Sequence, residues 1–324
     1  MKDGYGRVID RLRVSVTDRC DLRCVYCMPA RGARFSPSAD LLSFDEIESV
    51  VRFLVEKAGL RRVRITGGEP LVRPGLVGLV GRLAGLGLED LAMTTNAQLL
   101  APVAEDLRKA GLARVNVSLD SLDGERFRRL GRAGEVARTI EGIDAAIRAG
   151  LRPVKLNMVL LRGWNDDEIV DVVRFAAERK VEVRFLELMA IGESSPWHEK
   201  RFLPMDEAVK RLREVWRLDE TPLSPGSTSV TYDVSNGNGF RGAVGFIAPV
   251  TRPFCSHCRR LRLSADGLLR GCLMNPGGVD LMPVLRGEGT EREEGLRRAL
   301  HRAIAEKPWV SDMETGVGMH ALGG

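Results

Sequence analysis

Apolar and polar positions alternate with a period of two along Leu12-Arg13-Val14-Ser15-Val16, then recur with helical spacing at Ile47, Val50, Val51 and Leu54. This switch repeats up to about Trp216. Short β-rich runs near 12–17, 61–66, 90–95, 114–119, 153–160 and 181–188 are each followed by an amphipathic run, near 43–58, 74–85, 101–110, 135–149, 165–178 and 204–215. Such alternation predicts six βα units and a parallel sheet. Ser43 with Glu46 three residues on reads as a capping box opening the first helix, and Gly59 as its stop. The units can wind into an open sheet or curl into an incomplete barrel, a (βα)6 relative of the TIM type. In both, ligand-binding residues gather at the C-terminal ends of the strands. The loop Cys20–Cys27, Gly67-Gly68-Glu69-Pro70, Thr94-Thr95-Asn96, Ser118-Leu119-Asp120 and Leu188-Met189 all fall there. Turn chemistry alone also places polar residues and glycines at such positions.

Beyond Trp216 the pattern changes. Turn-rich Thr221–Ser227 and Asn236-Gly237-Asn238-Gly239 flank a short β-like run, Ser229–Tyr232, and a last helix is predicted over 291–306 before a tail ending in Gly323-Gly324. This divides the chain into a partial barrel, 1–216, and a C-terminal region, 217–324, expected to be an appendage rather than more barrel.

Composition narrows the class. With 44% hydrophobic and 29% charged residues over 324 positions, the α/β chain can bury a large core and is not of the disordered type. The net charge of +5 is modest, but arginine dominates lysine, which favours a phosphorylated ligand over a nucleic-acid duplex. Met1–Asp10 lacks the apolar stretch of a secretion signal and no run approaches the ~18 apolar residues of a membrane span, so a cytoplasmic protein with no membrane partner is expected. Six cysteines in such a chain point to metal or redox chemistry before disulfides.

The cysteines fall into two sets of three. Cys20, Cys24 and Cys27 have the spacing C-x3-C-x2-C, able to hold three irons of a four-iron cluster and leave the fourth open to a substrate or cofactor. A zinc knuckle or packed thiols are the plainer readings. Cys255, Cys258 and Cys272 read either as a zinc site strained to include His257 or as a second cluster with an open iron. Between them, Arg260 and Arg262 share one side of an extended run, as a triphosphate clamp would need or as a solvated basic edge strand would show.

The first cysteine loop with the Gly-Gly-Glu-Pro segment resembles the radical S-adenosylmethionine (SAM) enzymes. Leu12–Cys20, Arg64–Leu71, Asn116–Asp120 and the C-x2-C-x-R-x-R-L…C array together resemble one family among them, the GTP 3',8-cyclases of molybdenum cofactor biosynthesis, over essentially the whole chain. The resemblance implies two 4Fe-4S clusters, one on Cys20, Cys24 and Cys27 and one on Cys255, Cys258 and Cys272, with SAM as cofactor against Tyr26, Gly68, Ser118 and Met189. It implies GTP as substrate at Arg13, Arg64, Thr94, Lys155, Arg260 and Arg262, and a catalytic tail at Gly323 and Gly324. It further implies an electron donor, a homodimer, and cyclic pyranopterin monophosphate synthase as acceptor of the product, with no nucleic-acid partner. Three positions depart from the family pattern: Asp21 for Asn, Ala97 for Gly, and no His after Lys307-Pro308. The alternatives at this point are a radical SAM enzyme acting on a peptide and a zinc-stapled RNA-binding module.

Overall fold

The protein is described from a computed structural model covering residues 1–31, 33, 35–223, 226–237, 239–275, 277–287, 291–310, 314–315 and 319. The strands are β1 (Arg11–Ser15), β2 (Arg62–Thr66), β3 (Asp90–Thr95), β4 (Arg114–Ser118), β5 (Lys155–Leu160), β6 (Glu182–Glu187), β7 (Ala190–Ile191), β8 (Arg217–Glu220), β9 (Val230–Ser235), β10 (Arg241–Ile247), β11 (Arg260–Leu263), β12 (Leu268–Arg270), β13 (Val279–Asp280) and β14 (Glu314–Thr315). The helices are α1 (Phe44–Ala58), α2 (Leu76–Ala84), α3 (Ala104–Lys109), α4 (Gly124–Gly131), α5 (Val136–Arg148), α6 (Ile169–Glu178), α7 (His198–Arg201), α8 (Met205–Arg213), α9 (Met282–Arg286) and α10 (Arg292–Ala305).

The six expected strands pair in parallel and in sequence order, β1 to β6, with helices on the outer face, as a partial barrel requires. Their inward positions are mostly polar, while Val14, Ile65, Val117 and Leu156 are fully buried in the core beneath the helices. Helix α1 opens on the capping box: Ser43 Oγ accepts from the Glu46 amide at 3.1 Å and Glu46 Oε2 from the Ser43 amide at 2.6 Å. It stops at Gly59 in the left-handed conformation, φ 69°.

The region after Trp216 differs from the expected appendage. Strand β10 pairs in parallel with β6, and β11 in parallel with β1, so the sheet grows at both edges; β9 and β8 then continue antiparallel on one side, β12 and β13 on the other, giving twelve strands in one sheet. An open barrel has two edges of unpaired backbone groups, and the second half of the chain satisfies both. The sheet ends, β13 and β8, do not pair with each other, so the barrel stays open. Among the described residues no helix is long and apolar enough to cross a membrane.

Candidate active site

The cysteine loop leaves β1 and is clamped from outside by α4, a helix absent from the expected set. Its end accepts from the loop backbone, Arg23 amide to Gly131 O at 2.8 Å and Val25 amide to Leu130 O at 2.9 Å, while Arg132 Nη1 donates to Met28 O at 2.8 Å. Facing the loop, the Gly68 amide donates to Thr17 O at 2.7 Å and the Glu69 amide to Arg19 O at 2.8 Å. Only glycine allows this approach: a Cβ at position 68 would lie 2.2 Å from Arg19 O. Tyr26, inside the loop, donates its hydroxyl to Asp120 Oδ2 at 2.5 Å, and Asp120 Oδ1 accepts from the Val159 amide at 3.0 Å.

Electrostatically this end of the cavity is short of positive charge. Burial pushes the Cys24 thiol well above its usual value, helped by Asp120 and the neighbouring cysteines, and burial with Glu69 and Asp21 raises Cys20. Glu69 is raised to about 7 by burial although it accepts from the Asn96 amide at 2.7 Å, Thr95 Oγ1 at 2.8 Å and the Leu71 amide at 3.1 Å. Buried thiols, beside carboxylates Asp21, Glu69 and Asp120 that form no ion pair among the described residues, are the donor set that an iron cluster and the ammonium and sulfonium of SAM would complete.

The opposite end has the reverse balance. In register across the sheet, Arg260, Arg11 and Arg62 form one row on β11, β1 and β2, and Arg262, Arg13 and Arg64 the next. Burial, then Arg262 and Arg64, lower Arg13 well below its usual value; burial, then Arg260, bring Arg262 to about 9; burial, then Arg114 and Arg184, bring Arg64 to about 9. Arg262 Nη1 is buried without a hydrogen-bond partner among the described residues, so a ligand oxygen fits there. Beyond these rows Glu182 accepts from Lys155 Nζ at 2.7 Å and Arg184 Nε at 2.6 Å.

The second cysteine set borders the arginines. Cys255 and Cys258 flank a short turn before β11, and Cys272 follows β12. Burial works against the Cys258 thiolate, but Arg260 and Lys307 outweigh it and the thiol falls to about 6. His257 Nε2 is 3.1 Å from Ser227 O. Ligands of a four-iron cube each bind a different iron and need not converge on one point; among the described residues no three His, Cys, Asp or Glu side chains do so.

A single cavity of about 840 Å³ joins both ends. Its lining includes all six cysteines together with Tyr26, Gly68, Ser118, Met189, Arg13, Arg64, Thr94, Lys155, Arg260 and Arg262. Gly323 and Gly324 lie outside the described residues; Met319, the last described residue, also lines the cavity, and β14 pairs in parallel with β7 just past Met189. Sequence reasoning left out Arg11, Arg62, Arg184 and Glu182, which line the same cavity. It also gave no role to Lys307, which bonds to Cys258. The signal for the first two is the repeated R-x-R of β1 and β2, the same as in β11.

The Radical SAM superfamily profile matches residues 14–176, and the Molybdenum Cofactor Synthesis C profile residues 181–313. A GTP 3',8-cyclase of Pseudomonas putida (strain W619) is 46% identical over 99% of this chain and 95% of its own length. The chain belongs to the GTP 3',8-cyclase family. Relatives named GTP 3',8-cyclase from Rhodopirellula baltica and Moorella thermoacetica are each 43% identical, covering 99% and 98% of this chain and 91% and 96% of theirs. In fold, the chain is similar to the crystal structure of Streptococcus suis SuiB bound to S-adenosylmethionine, with TM-score 0.66 at 16% identity over 93% of this chain and 68% of that one. This agreement rests on fold alone. The three departures from the family pattern have local consequences: Asp21 Oδ1 accepts from Asn96 Nδ2 at 2.6 Å beside Cys20, Ala97 sits at φ 61°, and Trp309, which follows Lys307-Pro308 where the pattern has His, packs its ring 5.4 Å from that of Tyr5.

Proposed function

We propose that this protein converts GTP to (8S)-3',8-cyclo-7,8-dihydroguanosine 5'-triphosphate, the first step of molybdenum cofactor biosynthesis. The observation that carries this reading is the polarity of one cavity: buried thiols and carboxylates at one end, and two rows of arginines beside a second cysteine set at the other. Cys20, Cys24 and Cys27 would hold one 4Fe-4S cluster with SAM, and Cys255, Cys258 and Cys272 the other. When bound, the first cluster and SAM would supply a radical able to take the ribose 3' hydrogen; the C3' radical would then bond to guanine C8, and an electron from the donor with a proton would quench the aminyl radical left on the base.

The chain's own residues orient and enclose. Glu69, fixed by three donors, accepts the SAM ammonium; Gly68 lets backbone approach it; Tyr26, held by Asp120, packs beside it with Ser118 and Met189. Arg13, Arg64, Arg260 and Arg262 take the triphosphate in charge-assisted hydrogen bonds, with Thr94 and Lys155 completing the pocket. Enclosure inside the barrel keeps water and oxidants from radical intermediates. The Gly323-Gly324 tail is assigned to the active site. The chain is read as a cytoplasmic homodimer in which residues from about 217 extend the sheet of the 1–216 partial barrel and carry the second cysteine set, drawing on an external electron donor and passing its product to cyclic pyranopterin monophosphate synthase.

The test is anaerobic turnover of cluster-reconstituted protein with a reductant, SAM and GTP deuterated at the ribose 3' position. Deuterium in 5'-deoxyadenosine, read by mass spectrometry, is the expected result. Unlabelled deoxyadenosine would assign the radical chemistry to another substrate.

A further inference from the structure

Lys307 follows α10 and is 3% exposed, yet among the described residues none of its partners is a carboxylate. Its ammonium donates to Gly271 O at 2.6 Å, Arg260 O at 3.0 Å and Cys258 Sγ at 3.4 Å. Gly271 precedes Cys272, so this one cation touches the sulfur of one cysteine and the peptide leading to another. The close fit depends on Gly271 itself, because a Cβ there would lie 2.4 Å from Ala303 O and 2.8 Å from Lys307 Cβ.

The third cysteine is reached from the same segment. Arg7 is buried and paired with Asp3 at 2.6 Å; its Nη1 donates to Cys255 O at 2.7 Å and its Nη2 to Pro308 O at 2.9 Å. The residues Lys307 and Pro308 therefore stand at the junction of the peptides carrying Cys255, Cys258 and Cys272.

We infer that Lys307 is a positioning residue of the second cluster, which makes that cluster easier to reduce through its N–H to the Cys258 sulfur and its buried charge. The inference rests on the reading that Cys255, Cys258 and Cys272 hold iron. A hydrogen bond and a positive charge at a ligating thiolate stabilise the added electron of the reduced cluster, so their removal moves the potential negative. Lysine suits the task because a compact ammonium can satisfy two carbonyls and a sulfur at once.

The test is an anaerobic, EPR-monitored redox titration of the holoenzyme, its second-cluster signal identified as the one retained when Cys24→Ala removes the first. In Lys307→Met the reduced-to-oxidised ratio of that cluster at fixed ambient potential falls about tenfold or more, about 59 mV for a one-electron couple. The first cluster's potential stays as in the parent. Lys307→Gln, which keeps a neutral donor and serves if the Met variant does not fold, gives a smaller shift of the same sign. Normal loading with the parental potential in the folded variants overturns the inference. Absence of any cluster from the Cys24→Ala chain would instead overturn the assignment of the second cysteine set.

Discussion

Arg13 and Arg262 stand opposite each other on neighbouring parallel strands, with Arg64 on the far side of Arg13 in the same register. Three guanidinium groups in one buried row repel, and burial lowers the pKa of each. Such a row suits an anion, as the proposed triphosphate site requires. Removing one cation should relieve the empty protein and harm the complex. Arg262→Met is therefore expected to raise the thermal midpoint of the ligand-free protein while weakening GTP binding about 10- to 100-fold, the worth of a charge-assisted hydrogen bond of about 1.5–3 kcal/mol. Calorimetry with and without GTP checks both signs, and a variant less stable in both states would remove the anion-site argument.

At Gly68 the constraint is steric. Alanine places its Cβ 2.2 Å from Arg19 O and 2.9 Å from Asp18 O, both backbone, so the cysteine loop must move. Gly68→Ala should lose about 1–3 kcal/mol in urea unfolding and the iron of the first cluster. Gly78, exposed in α2 with nothing within 4 Å of its Cβ position, is the control: Gly78→Ala should gain up to about 1 kcal/mol and load normally.

The six core strands and the capping box were legible because they are local: period-two alternation, and a Ser and Glu three residues apart. The cysteine sets were legible by spacing. What was not legible depends on register between distant segments. That R-x-R occurs in β1, β2 and β11 is visible in the sequence, but that the three lie side by side requires β11 to return about 250 residues later to the free edge of β1. Helix α4 escaped notice because it is only eight residues long, four of them charged, and begins and ends in glycine; its signal was the Asp123 cap, which accepts from the Arg126 amide at 2.7 Å, with Phe127 and Leu130 buried three apart. Lys307 was visible only as the lysine of Lys307-Pro308, with nothing in the sequence to connect it to the cysteines. Its partners are two backbone carbonyls and a sulfur.

Ala97, where the family pattern has glycine, is fully buried in the left-handed region at φ 61°. That conformation costs a non-glycine residue about 1–2 kcal/mol. The methyl group is accommodated by Gly142, whose own Cβ would lie 2.9 Å from it and 2.5 Å from Ala97 O. Ala97→Gly releases the strain, but loses a buried methyl worth about 0.8 kcal/mol and adds about 0.4–1 kcal/mol of unfolded-chain freedom, so stability should change by less than about 1 kcal/mol in either direction. Ala208, fully buried in α8 with helical backbone, should lose at least about 1 kcal/mol on the same change. Equal losses at both positions by urea titration would show that Ala97 carries no backbone strain.

Glu69 gives the ligand-free protein a pH dependence whose sign follows from burial. Its carboxyl titrates at about 7 when folded against 4.5 for an ordinary glutamate. Between those values the folded chain holds a proton that the unfolded chain has released, so stability falls as pH rises from 4.5 to 7 and is then level with respect to this group. The upper bound is about 3 kcal/mol, at 1.36 kcal/mol per pH unit. Glu69→Gln removes this slope, leaving the contribution of Asp120, which burial raises to about 6 and which acts in the same sense below that pH, and that of Cys258, whose thiol falls to about 6 and acts in the opposite sense above it. SAM reverses the preference, because its ammonium favours the ionised carboxylate; binding to the reconstituted protein should weaken as pH falls below about 7 in the parent and lose that dependence in Glu69→Gln. Unfolding free energies at pH 5 and 7.5, with SAM titrations at both, decide the matter. A parent whose stability rises over that interval while the variant's does not would mean that Glu69 is ionised and paired in the ligand-free protein, and would remove it as the carboxylate waiting for the SAM ammonium.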